Sequence, residues 1–209
     1  GSKTGQGFYK LERKADGSKD ILSLDLNTLE YRANKRAKFA TLELTKSIDH
    51  VADRFKVLVK GKDKAGEFYR KSFSALFAYV SNRIPEITDD LYKIDDAMKA
   101  GFGWEHGPFQ IWDAIGVEKG LEIMKAEGKT PAAWVNDMVA SGNTSFYTVK
   151  DGATYFYDIN KKAQEKVPGQ DSFIILDNIR KSNEVFKNSG VVIEDLGDGI
   201  LNCEFQSKM

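Results

Sequence analysis

The sequence predicts a mainly α-helical fold, closed by a small β-hairpin and a β-rich C-terminal tail. Three observations carry that prediction. Apolar residues recur at steps of three and four through about residues 40–142. Capping residues and glycines punctuate the same stretch where helices should start and stop. Beyond it the chain turns aromatic and β-branched on both sides of Asp151-Gly152, a hairpin signal.

Residues 3–10 read as a glycine turn leading into a short extended piece, and Asp16-Gly17 marks a turn in the charged run 11–20. Ile21, Leu22, Leu24 and Leu26 suggest another short extended segment. Arg32, Lys35, Arg36 and Lys38 form a basic run that reads either as a solvated linker or as a contact for an acidic ligand such as a phosphate. Thr41 can cap a helix carrying Leu44, Ile48, Val51, Phe55 and Leu58, ended by Gly61. Asp63 can cap a longer helix whose face from Phe68 to Ile84 is wide enough for a central or interface position. Pro85 ends or kinks it, and Thr88 or Asp89 caps a third helix, Leu91–Ala100.

Gly101 to Val117 then forms an elbow. Gly101 and Gly103 read as a helix stop, since glycine takes the left-handed cap without penalty. Pro108 suits the first position of a new helix, because its missing N–H would be unpaired there anyway. Phe102, Trp104, Phe109 and Trp112 should line a core hub. A helix over 118–127 follows, and Thr130-Pro131 starts another that runs to Gly142. Ser145–Val149 and Ala153–Tyr157 make the hairpin, and 158–171, with Pro168-Gly169, reads as a linker. Ser172–Lys181 fits strand or helix equally, and Val185–Lys187, Gly190–Glu194 and Ile200–Phe205 are strand-like.

Composition excludes several functional classes. The 209 residues carry 31 basic and 31 acidic side chains, so no net charge favours nucleic acid or an anionic membrane. No apolar run approaches the roughly 20 residues of a membrane span. A single cysteine, Cys203, allows no internal disulfide and suits a reducing cytosol; its place in a strand suggests a buried structural thiol. Gly1-Ser2 looks like a cloning scar, and Met209 follows a strand with no closing structure.

Catalytic signals are weak. No glycine cluster makes a phosphate loop, and His50 and His106 have no third ligand at metal spacing. Glu86, Asp89, Asp90, Asp95 and Asp96 could be paired carboxylates, but acids around a helix N-terminus complement its dipole. Glu105-His106 is a possible acid–base pair, although neighbours in a loop seldom act so.

Lys3-Thr-Gly-Gln-Gly-Phe-Tyr-Lys10 resembles the segment closing a C-terminal-domain repeat in 3-hydroxyacyl-CoA dehydrogenases. Ile94-Asp-Asp-Ala-Met-Lys-Ala-Gly-Phe-Gly-Trp-Glu-His-Gly-Pro-Phe-Gln-Ile-Trp-Asp-Ala-Ile-Gly-Val117 is similar to the same family's longer signature, and Ser145-Phe-Tyr147 looks like the close of that second repeat. Gly190–Met209 resembles the opening strands of an enoyl-CoA hydratase (crotonase) domain.

The resemblance implies a helical bundle of the dehydrogenase C-terminal type over 41–158. Residues 1–40 would end a preceding repeat, 159–184 would link, and 185–209 would open a hydratase domain. It implies a structural signature of Gly101, Gly103, Trp104, Gly107, Pro108, Phe109, Trp112, Asp113 and Gly116, with no catalytic, cofactor-binding or metal residue. The family's Asn-Arg pair would fall near Lys71-Ser72, so Asn82-Arg83 is not its counterpart. Such a chain would be a non-catalytic, cytoplasmic piece of a β-oxidation protein that oxidises L-3-hydroxyacyl-CoA with NAD. It would serve as scaffold, acyl-CoA cleft wall and possible homodimer contact, between an upstream Rossmann domain and a downstream hydratase domain. An independent acyl-CoA or protein binding module is the alternative.

Overall fold

The computed structural model describes residues 3–35, 37–180 and 182–206. Gly1-Ser2, Arg36 of the basic run, Lys181 and the final Ser207–Met209 lie outside them. The chain divides at Phe39–Ala40 into two units.

The first unit is a sheet. Strands β1 (Tyr9–Arg13), β2 (Lys19–Leu24) and β3 (Tyr31–Ala33) pair antiparallel in sequence order. Asp16 and Gly17 turn the chain between β1 and β2: the Ser18 N–H donates to the Asp16 carboxylate at 2.9 Å, and Gly17 takes φ 81°. The Tyr31 hydroxyl donates to Gly7 O at 2.7 Å. The expected charged turn and basic linker therefore contribute strands at both sheet edges.

The second unit opens with α1 (Ala40–Thr45), α2 (Val51–Lys60) and α3 (Lys64–Asn82). The single helix expected from Thr41 to Leu58 is broken at 46–50. Thr41 caps nothing; it is buried, and its N–H and hydroxyl donate to Asp63 at 3.0 and 2.7 Å. Asp63 also accepts from Gly66 N at 3.0 Å, which makes it the cap of α3. These donors hold the Asp63 carboxyl down at about 2.

Next come α4 (Leu91–Phe102), α5 (Pro108–Ile115), α6 (Val117–Ala126) and α7 (Ala133–Ala140). Gly101 lies inside α4 and does not stop it; Gly103 is the left-handed cap at φ 66°. Helix α7 starts two residues after Pro131, where Ser81 of α3 accepts the Ala132 N–H on its hydroxyl and the Trp134 indole N–H on its carbonyl. Phe77 of α3 stacks on Trp112 of α5 with centroids 4.7 Å apart and planes 8° apart. Trp112, Phe109 and Phe146 close edge-to-face at 5.0 Å, giving the core its aromatic centre.

The C-terminal third departs most from expectation. Strands β4 (Tyr147–Lys150), β5 (Ala153–Asp158) and β6 (Ala163–Lys166) form a second antiparallel sheet, so part of the expected linker is a strand. A short 3-10 turn (Gln170–Ser172) and α8 (Leu176–Ile179) lead to a third sheet of β7 (Glu184–Lys187), β8 (Val191–Gly197) and β9 (Ile200–Phe205). Three three-stranded antiparallel sheets, about 40% helix and 23% strand, make this an α+β chain and not a mainly α bundle with a small hairpin. Cys203, expected to be buried, is exposed. No described helix is long and apolar enough to cross a membrane.

Candidate functional site

The elbow between α4 and α5 is built around a missing side chain. Pro108 begins α5, so Gly107 occupies the capping position and has nothing to offer the free amides of the first turn. Asp95, one helix earlier, supplies what Gly107 lacks. Its carboxylate accepts the Phe109 N–H at 2.9 Å and the Gln110 N–H at 3.1 Å. Gln110 returns its side-chain oxygen to the Gly107 N–H at 3.0 Å. A Cβ on residue 107 would stand 2.3 Å from the Asp95 Cβ and 2.4 Å from its Cα, so only glycine lets α4 come this close.

A second carboxylate extends the arrangement. Asp113, on α5, accepts the Phe146 and Tyr147 N–H groups at 2.8 and 2.7 Å. The Tyr147 hydroxyl reaches back to Asp95 at 2.8 Å. Tyr147 is thus held at both ends, its backbone by one acid and its phenol by the other. Burial pushes the Asp95 carboxyl up to about 6, against the opposing pull of the Phe109, Tyr147 and Gln110 donors and of Lys99. Burial pushes Asp113 up to about 7, helped by the charge of Asp95 and opposed by its two backbone donors. Burial and the Asp95 carboxylate together drive the Tyr147 phenol well above its usual range.

Trp112 closes the far side. Its indole N–H donates to Val117 O at 3.0 Å, across Gly116, whose φ of 101° few other residues adopt. Phe109 and Trp112 are fully buried, as expected for a hub. Phe102 and Trp104 are not part of it: Phe102 is 75% exposed and Trp104 36%, both pointing away from the core that Phe109 and Trp112 enter.

The other candidate groups do not converge. Glu86 pairs with Arg83, Asp90 with Lys93 and Asp96 with Lys99, each an ion pair within its own turn. The His106 ring meets Phe55 edge-on at 5.8 Å, and its Nδ1 is buried without a hydrogen bond. Glu105 is exposed beside it. Among the described residues no group of His, Cys, Asp or Glu could hold a metal ion. Sequence reasoning assigned Asp95 to the dipole of its own helix and overlooked its service to the next one. The signal was its invitation by Gly107-Pro108, a helix start with no capping side chain.

Comparison with known proteins finds a family match that spans the elbow. Residues 76–155 match the family described as 3-hydroxyacyl-CoA dehydrogenase, C-terminal domain. A probable 3-hydroxyacyl-CoA dehydrogenase of Bacillus subtilis is 37% identical over 209 residues, which cover all of this chain and 26% of the relative. Putative fatty acid oxidation complex trifunctional enzymes of Rickettsia felis and Rickettsia prowazekii are 26% and 24% identical. Those alignments cover 53% and 59% of this chain and 14% and 15% of the relatives. The chain therefore spans about a quarter of the length of the Bacillus relative that it matches. No solved structure matches it. The later part of α3, the carboxylate-held elbow and the start of the second sheet all lie inside the matched residues, and it is through them that the chain is similar to the C-terminal domain of the 3-hydroxyacyl-CoA dehydrogenase family.

Proposed function

We propose that this chain is a non-catalytic, cytoplasmic part of a longer β-oxidation protein that oxidises L-3-hydroxyacyl-CoA to 3-oxoacyl-CoA with NAD. In this reading it packs against an upstream Rossmann domain, walls one side of the acyl-CoA cleft and contributes to a dimer, and a hydratase domain lies downstream. The observation that carries the reading is the engagement of the elbow's acids. Asp95 is fully buried, and its oxygens accept two backbone amides and a phenol; Asp113 accepts two more amides. A general acid or base must reach a reacting atom. These two instead hold α4, α5 and β4 together.

NAD does not fit the described residues. A dinucleotide site needs parallel strands joined through a helix with a glycine-rich turn, and all three sheets here are antiparallel. No step of the oxidation is therefore assigned to this chain's residues. The test is the isolated chain with acetoacetyl-CoA and NADH. No NADH consumption above background is expected, and a measurable, enzyme-dependent rate would overturn the reading.

One observation favours a second reading, an acyl-CoA binding module. Phe102 and Trp104 stand exposed beside each other at the elbow's outer edge. Isothermal titration with an acyl-CoA, repeated on Trp104→Ala, separates the two. Saturable heat that disappears in the variant supports the module, and no heat leaves the scaffold reading.

A further inference from the structure

The first and second sheets are one structure built twice. Both hairpins turn on an Asp-Gly pair, Asp16-Gly17 and Asp151-Gly152. Tyr9 stands opposite Ser23 in the first sheet, and Tyr147 opposite Phe156 in the second. The Leu24 N–H donates to Phe8 O at 2.9 Å, and the Tyr157 N–H to Phe146 O at 2.8 Å. The next turns agree as well. Asp25 accepts the Asn27 and Thr28 N–H groups, and Asp158 accepts those of Asn160 and Lys161. Leu29 and Lys162 then take the left-handed region at φ 59° and 54°. In the third strands Arg32 stands opposite Ser23, and Glu165 opposite Phe156. Even a side-chain bond is shared: the Tyr31 hydroxyl donates to Gly7 O, and the Gln164 amide to Ser145 O. Phe8 therefore corresponds to Phe146, and Tyr9 to Tyr147.

Their surroundings differ. Phe146 has no exposed surface and meets Phe109, Trp112 and Trp134, while Asp113 and Asp95 take the Tyr147 amide and hydroxyl. Phe8 is 73% exposed and Tyr9 63%. The elbow of this chain cannot receive them, nor can the elbow of a second copy, because Phe146 and Tyr147 already fill it. We infer that Phe8 and Tyr9 form a docking surface for another helical elbow of the same build, in the part of the longer protein that precedes this chain. An aromatic pocket of that elbow takes the Phe8 ring. Two buried carboxylates take the Phe8 and Tyr9 amides and the Tyr9 hydroxyl.

The chemistry of the two residues selects this occupant. Covering the Phe8 ring also takes the neighbouring backbone amides and the Tyr9 phenol out of water, and each then needs an acceptor. Carboxylates supply enough lone pairs for all of them, as Asp95 and Asp113 do for the second sheet. The second sheet also fixes where those acids stand. Tyr147 follows Asp95 by 52 residues and Asp113 by 34. The corresponding acids stand at about those separations before Tyr9, on either side of a glycine-proline helix start like Gly107-Pro108.

This docking rests on the reading of the chain as part of a longer protein, and on nothing in that protein's chemistry. Hydroxyl-radical footprinting of the longer protein tests it, with Phe146 as the internal standard of a filled elbow. In this chain alone Phe8 should label strongly and Phe146 weakly; in the longer protein Phe8 should fall to the level of Phe146. Tyr9→Phe should leave the melting of this chain alone unchanged and lower the melting temperature of the longer protein. Exchanging the acid 52 residues before Tyr9 for its neutral amide should lower it too, and the two changes together should cost less than their sum. Phe8 labelled in the longer protein as strongly as in this chain, or no carboxylate near either separation, would overturn the docking. So would a Tyr9→Phe loss in this chain alone, or strictly additive losses in the longer protein, which would put a different surface over Phe8. An NADH-consuming isolated chain would instead remove the non-catalytic reading and leave the docking intact.

Discussion

Replacing Gly107 by alanine adds one methyl group at a backbone conformation alanine accepts, since φ there is −75°. Any cost must come from what the methyl meets. It meets Asp95 at 2.3–2.4 Å, on Cβ, Cα and Cγ, of which the Cα cannot rotate aside. Helix α4 must move away from the start of α5, and the Asp95 bonds to Phe109 and Gln110 lengthen as it does. Overpacking costs about 1–3 kcal/mol, and loss of a helix cap about 1 kcal/mol more. For a chain of this size, about 2–4 kcal/mol corresponds to a melting temperature lower by roughly 5–15 °C. Two neighbouring glycines serve as controls. Gly103→Ala meets nothing within 4 Å but must hold φ 66°, a strain of about 1–2 kcal/mol. Gly101→Ala also meets nothing and sits inside α4, where alanine gains about 0.5–1 kcal/mol. Tryptophan fluorescence during urea unfolding reads the right unit, because Trp104, Trp112 and Trp134 all lie after Ala40. The expected order of stability is Gly101→Ala, wild type, Gly103→Ala, Gly107→Ala. If Gly107→Ala unfolds no earlier than Gly103→Ala, Asp95 does not occupy the space inferred for it.

Three further outcomes follow from the same geometry. The folded Asp95 carboxyl sits near 6 and its ordinary value is 3.8, so the folded chain holds a proton that the unfolded chain releases. Its stabilising share is therefore complete below about pH 4 and lost as pH rises through about 6, a change on the order of 3 kcal/mol. Asp113 acts in the same direction up to about 7, and Asp63, lowered to about 2, acts the opposite way below pH 4. Urea midpoints should fall between pH 4.5 and 7.5 in the wild type and flatten in Asp95→Asn; a midpoint that rises across this window contradicts the burial argument. Tyr147→Phe removes a donor that favours the Asp95 carboxylate, so the Asp95 titration followed by carbon NMR should move upward; a downward move would mean that the phenol does not serve it. Gly120→Ala would bring a Cβ to 2.0 Å from the Trp112 indole nitrogen, costing about 1–3 kcal/mol and breaking the bond to Val117. Its readout is a changed emission maximum for the buried Trp112, and an unchanged spectrum and stability would refute the close approach.

What the sequence disclosed was local. The apolar spacing from Phe73 to Val80, the left-handed glycine after α4 and the proline opening α5 each depend on residues within a turn of one another, and each reads directly. In the first unit Ile21, Leu22 and Leu24 read as extended and do lie in β2, but the extent of β1 and β2 was obscured because Glu12, Arg13 and Lys19 make their surfaces charged, and the pairing that makes them strands is non-local. Thr41 looked like a cap because threonine usually is one; its partner Asp63 lies 22 residues on. In the third sheet, Glu194 faces inward and Phe205 outward, the reverse of what alternation arguments assume. Trp104 was grouped with Phe109 and Trp112 by proximity along the chain, yet Gly103 and Gly107 swing it to the surface between them.

Why a buried charge holds the elbow, and not an apolar contact, follows from the amides it serves. Starting α5 with Gly107-Pro108 leaves the Phe109 and Gln110 N–H groups pointing at α4 with no capping side chain. An apolar residue at position 95 would fill the space and abandon both donors, at a cost of about 1–3 kcal/mol for each. A serine or threonine could not reach both donors and the Tyr147 phenol as well. Only a carboxylate offers two oxygens with lone pairs enough for all three partners. One side chain thereby fixes elements from three distant parts of the sequence, and Asp113 repeats the device on the backbone of Phe146 and Tyr147. The desolvation that pushes both acids upward is the cost of that arrangement. It is tolerated because removing either acid would leave buried backbone donors unpaired, a larger loss than the one it avoids.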